Sequence, residues 1–79
     1  MIKHVIRFTY VTGKNPIPKN NTVIMEFDRV MNPFSSELKI AVRQKLIDCH
    51  NLLIQKFPNM NFGMPFLLAI EEVKIISKI

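Results

Sequence analysis

Cysteine occurs once in this chain of 79 residues and glycine only twice. Cys49 alone cannot close an intramolecular disulfide, and a lone thiol in an apolar stretch is expected to pack as a small, buried, inert hydrophobe in a reducing compartment. Gly13 and Gly63 by themselves make no glycine-rich phosphate loop. Long apolar runs are missing too. At the N-terminus, Met-Ile-Lys-His-Val-Ile-Arg-Phe interleaves charges every few residues, so neither a signal peptide nor a membrane span is expected. The expected setting is cytoplasmic, with no membrane partner.

Convergent chemistry is equally scarce. His4 and His50 have no second histidine, cysteine or carboxylate at ligand spacing, so no metal and no cofactor is expected. Cys49 and His50 are adjacent and would leave a helix on different sides, which rules against a nucleophile and its base. Glu71 and Glu72 would diverge on a strand, where successive side chains alternate faces, and so cannot pair as acid and base. These absences argue against an enzyme. Eleven lysines and arginines against six acids give a net charge of +5, which favours acidic partners in general. No run of five basic residues exists, and a dedicated basic arm is therefore absent.

What is present begins with two alternating segments. From Ile2 to Thr12, Ile2, Ile6, Phe8 and Tyr10 share one face, joined by His4, while Lys3, Val5, Arg7, Thr9 and Val11 share the other. From Thr22 to Met31, Val23, Met25, Phe27 and Met31 face one way and Thr22, Ile24, Glu26, Asp28 and Val30 the other. An antiparallel hairpin with matched apolar faces is predicted, in the register that sets Phe8 across from Phe27, Arg7 across from Asp28 and Val5 across from Val30. The connection from Gly13 to Asn21, with Pro16 and Pro18, is too long for a tight turn and reads as a projecting loop. Ser35 is the favoured cap of a helix over Ser36 to Phe57, with Glu37 in its first turn and Pro58 ending it; Asn32 followed by Pro33 is the other start. The tail from Pro65 to Ile79 fits a strand or a helix; its β-branched residues favour a strand, with a bulge near Glu71 and Glu72 that lets Leu68 and Ile70 share a face with Val73 and Ile75.

The predicted fold is thus a small α+β domain of order β-β-α-β over residues 1–79: an antiparallel hairpin plus a C-terminal strand, with one long helix packed on one sheet face. The third strand is expected beside the first, placing that strand in the middle. Chains this short bury only roughly 60% of their unfolded surface, so the core is thin.

Projected at ~100° per residue, the helix lines up Leu38, Val42, Leu46, Cys49, Leu53 and Phe57 as a core stripe. A second line, Ile40, Ile47 and Ile54, stands well away from it, with Lys39, Arg43 and His50 between the two. That line is expected to meet a partner, its isoleucines forming an apolar centre and Lys39, Arg43 and His50 a basic rim. Should the sheet and tail cover both stripes, the loops become the better candidates. These are Lys14, Ile17 and Lys19 in the first loop, and Met60, Phe62 and Met64 in the second, which either plug the end of the core or form an adaptable contact surface.

The function expected from these features is non-catalytic: occupation of a surface on a protein or nucleoprotein complex, as a stoichiometric inhibitor or adaptor of the kind phages and other mobile elements encode, with homodimerisation as one mode of association. The alternative is a small basic nucleic-acid-binding protein using Lys14, Lys19, Lys39 and Arg43 on the backbone. Against it, Phe8, Tyr10 and Phe27 share the face the helix must cover, and no RNA-recognition signature appears.

Overall fold

A computed structural model describes residues 1–14 and 16–78, with side chains to Ile76; Asn15 of the first loop and Ile79 of the tail lie outside the described residues. The elements are β1 (Ile2–Thr12), β2 (Lys19–Phe27), α1 (Ser36–Lys56) and β3 (Pro65–Lys78). The strands form one antiparallel sheet in the order β2-β1-β3, with the helix on one face. This is the predicted α+β arrangement, including the central position of β1.

The hairpin register differs from the prediction. Ile2 pairs with Phe27, Ile6 with Val23 and Phe8 with Asn21, so β2 starts three residues earlier and ends four residues earlier than expected. Arg7 stands opposite Thr22 and Val5 opposite Ile24, so the expected pairs with Phe27, Asp28 and Val30 do not form. The reason lies in the pleat. A slide by an even number of residues keeps every side chain on its face, and the observed register adds ladder pairs as far as Tyr10 and Lys19, shortening the loop between the strands. Arg7 finds its carboxylate on the other neighbour, Glu72 at 4.0 Å.

Because β2 stops at Phe27, Met31 belongs to the connection into α1, yet its side chain still enters the core. His4 holds it there. The imidazole is fully buried; its Nδ1–H donates to the Ile2 carbonyl at 2.9 Å, and its Nε2 accepts the Met31 amide at 3.0 Å. The Phe27 ring packs against it in a T-shaped arrangement, centroids 5.2 Å apart. The connection is closed further by ion pairs from Arg29 to Asp28 and Glu37, and by an Asn32 side chain that accepts the Phe34 amide.

Ser35 is the N-cap of α1, as its sequence position suggested, with an extended backbone. Its hydroxyl does not cap the helix. It turns back to accept the Asn32 amide at 3.2 Å, fixing the turn that leads in. At the other end Phe57 closes the helix through its N–H to the Leu53 carbonyl, directly before Pro58.

β3 is a strand with three irregularities in its pairing to β1. The register skips Glu71 between Arg7 and Phe8, which is the bulge expected at the glutamate pair, and also skips Leu68 and Ile76. The extra bulge at Leu68 corrects the predicted inward set. Leu67, Ile70, Val73 and Ile75 stand across from Tyr10, Phe8, Ile6 and His4, while Leu68 is exposed. A bulge puts two residues against one, so each shifts the phase of everything beyond it.

Gly63 adopts φ +71°, and a Cβ there would sit 2.7 Å from the Lys14 nitrogen. Gly63→Ala is expected to cost about 1–2 kcal/mol or more from the left-handed backbone and the clash, read as a lower urea midpoint. Gly13→Ala is the control. A Cβ at Gly13 meets nothing closer than 3.9 Å, and its N–H can still donate to the Met64 carbonyl, so its midpoint should stay near wild type.

Candidate functional site

The helix stands on the sheet along its first half only. Leu38 and Val42 are fully buried in the cluster with Ile6, Phe8, Met31 and Ile70, and Leu46 is half-buried against it. Beyond Leu46 the same stripe emerges. Cys49 is exposed, Leu53 is 40% exposed and Phe57 49%. The buried, inert Cys49 of the sequence reading is therefore corrected, and the core stripe ends three residues before it. A straight helix over a twisted sheet keeps contact over a limited length, and periodicity carries no information about where that contact stops.

Two depressions flank the ridge that Leu46 makes. On the β2 side lies an open cleft of about 660 Å³. Its floor is Phe8, Tyr10 and Val23; Leu46, Cys49, Leu53 and Phe62 form its apolar walls. Every charged side chain on it is cationic: Lys14, Lys19 and Lys45. On the β3 side a shallower hollow of about 440 Å³ is lined by Arg43, Leu46, Ile47, Met64, Phe66 and Leu67.

The residues singled out in the sequence divide between these features. Ile40, Ile47 and Ile54 are 65%, 36% and 41% exposed, so the line is open at Ile40 and partly covered at Ile47, where β3 approaches it. Lys39 and Arg43 are exposed beside it. Arg43 and Ile47 share the β3-side hollow with Met64, whereas His50 lines the β2-side cleft with Lys14, Lys19 and Phe62. Ile17 and Met60 are exposed at loop positions outside both. Phe62 packs on Phe57 with centroids 6.3 Å apart and walls the cleft, so it does not plug the core.

Sequence reasoning missed Lys45, Leu53, Tyr10 and Val23 as site residues. Leu53, Tyr10 and Val23 look like core from their spacing, and only the lift of the helix off the sheet leaves them on an open surface. Lys45 carried a signal that was available: it stands one residue before Leu46 and four before Cys49, on the flank of the stripe.

Among the described residues, no three histidine, cysteine or acidic side chains lie close enough to hold a metal ion. Nor is any helix among them long and apolar enough to cross a membrane. What the geometry defines is a small α+β domain bearing uncovered apolar surface on both flanks of one helix. Comparison with protein-family models, with curated proteins and with solved structures finds no match to this chain.

Proposed function

We propose that this chain is a non-catalytic binding protein that occupies a surface of another protein or of a protein–nucleic acid complex, as a stoichiometric inhibitor or adaptor of the type mobile elements encode. One observation carries the reading: Ile40, Ile47 and Ile54 stand exposed along one line of a helix that is anchored in the core through Leu38 and Val42, on a different stripe. Apolar side chains in register on an open helix face are anchors for a partner's groove. The cations Lys39 and Arg43 beside them favour a partner whose apolar patch is edged by carboxylates.

Ile47→Glu is the test, because glutamate keeps helix propensity and the loss of a partly covered isoleucine should lower stability by about 1–2 kcal/mol, leaving the domain folded. Wild type and variant, matched by circular dichroism, are each used to capture partners from cells of the native host, and the purified complexes are weighed by light scattering. Loss of a stoichiometric complex by the variant alone is expected. Identical complexes would remove the isoleucine line from the function, and global unfolding of the variant would return it to the core. A complex that weakens steeply with added salt would move the reading to nucleic acid, since phosphate contacts release counterions whereas an apolar interface is nearly indifferent.

A further inference from the structure

The two outer edges of the sheet are not equivalent. β3 begins at Pro65 and carries three bulges, devices that spoil an edge as a template for another strand. β2 has none of them. Its nine residues pair with β1 without a break, contain no proline, and carry charge only at Lys19 and Glu26. The main-chain groups on the side of β2 away from β1 face no neighbouring strand of the sheet. Directly beside this edge, the inward face of β2 opens into the cleft, with Val23 on the floor and Lys19 at one end.

We propose that β2 is a docking edge for an extended segment of another protein, which adds as a fourth, antiparallel strand. In strand addition the main chain supplies affinity, and pockets for alternate side chains supply specificity. Alternate side chains of the added segment would enter the cleft: apolar ones beside Val23 and Asn21, against Leu46 and Leu53, and an acidic one beside Lys19 at the Tyr10 end. There it meets Lys14 and Lys45 as well, and no lining residue is a carboxylate. A second copy of this chain fits poorly. Its β2 holds its one carboxylate, Glu26, on the outward face, paired across from Lys3, and two copies bring a net charge of +5 each. The inference rests on the binding-protein reading but concerns a different surface from the isoleucine line.

The probe is a dye-labelled peptide of about ten residues, alternating threonine outward with valine, phenylalanine, valine, then glutamates inward, reading from its N-terminus. Two companions replace the glutamates with lysines, or methylate the amide nitrogens facing β2. Fluorescence anisotropy is expected to show the glutamate peptide binding at least about tenfold tighter than either companion. Lys19→Glu combined with Lys45→Glu should erase its preference over the lysine form, and amide shifts in NMR spectra should concentrate on residues 19–27. Ile47→Glu should leave peptide binding unchanged, so failure here and failure of the isoleucine line are separately visible. Equal binding of the glutamate and lysine peptides, undiminished binding after methylation, or shifts centred on β3 would overturn the proposal. So would no binding at all, or a stable dimer of the protein that the peptide cannot dissociate.

Discussion

Leu38→Ala is expected to lower the unfolding free energy by about 2–5 kcal/mol, the range for deleting a large buried aliphatic side chain that leaves a cavity. A domain of this size has only about 3–5 kcal/mol to lose. The variant should therefore be largely unfolded at room temperature, with its helical circular dichroism lost and no folded baseline in a urea titration. Leu38 bears this weight because it sits in the first turn of α1, with none of its surface exposed, in the cluster of Ile6, Phe8 and Val42. Leu53→Ala, the same chemical change fifteen positions along the same stripe, removes a side chain that is 40% exposed above the cleft. It should cost less than about 1 kcal/mol. Similar losses in the two variants would mean that the helix is held along its whole length, contrary to the burial gradient described above.

His4 should produce the second large effect. In His4→Phe a somewhat larger ring fills the site but the acceptor for the Met31 N–H disappears, leaving a buried donor unpaired at about 1–3 kcal/mol, with overpacking adding to the loss. His4→Ala adds a cavity beneath Phe27 and should reach about 3 kcal/mol or more. Denaturant titration measures both, and amide hydrogen exchange locates the cause: the Met31 N–H should lose protection in either variant while the centre of β1 keeps it in the milder one. A phenylalanine variant as stable as wild type, with Met31 still protected, would show that the hydrogen bond does not hold the connection. The geometry also explains why a histidine occupies an apolar face. One ring satisfies the Ile2 carbonyl and the Met31 amide at once, joining the start of the sheet to the entry of the helix.

The sequence states some of this and is silent on the rest for identifiable reasons. Alternation in β1 and β2 declares which face is apolar, and both faces are as read. Register is a different quantity. Any slide by an even number of residues preserves the pattern, so Phe8 opposite Phe27 and Phe8 opposite Asn21 are equally consistent with it. The adjacent glutamates Glu71 and Glu72 interrupt the apolar pattern and mark one bulge. Those at Leu68 and Ile76 fall on apolar residues and leave no such mark, which is why Leu67 and not Leu68 turns inward. Helix limits are legible because Ser35 and Pro58 punctuate them. The depth to which α1 is covered is not, since Leu38 and Leu53 have the same period and the same chemistry and differ only in what lies beneath. The isoleucine line was visible as a pattern; the cleft beside β2, which depends on the lift of the helix, was not.

The contrast between the two edges of the sheet also limits how these molecules can polymerise. Open-ended stacking of strands requires every subunit to offer two compatible edges, one to receive and one to give. With β3 broken by three bulges, β2 is the one edge of the described sheet whose ladder runs without a break. Strand addition at β2 alone would therefore terminate after a single step, and the irregular strand on the far side would oppose fibril growth by a protein that leaves this much apolar surface uncovered.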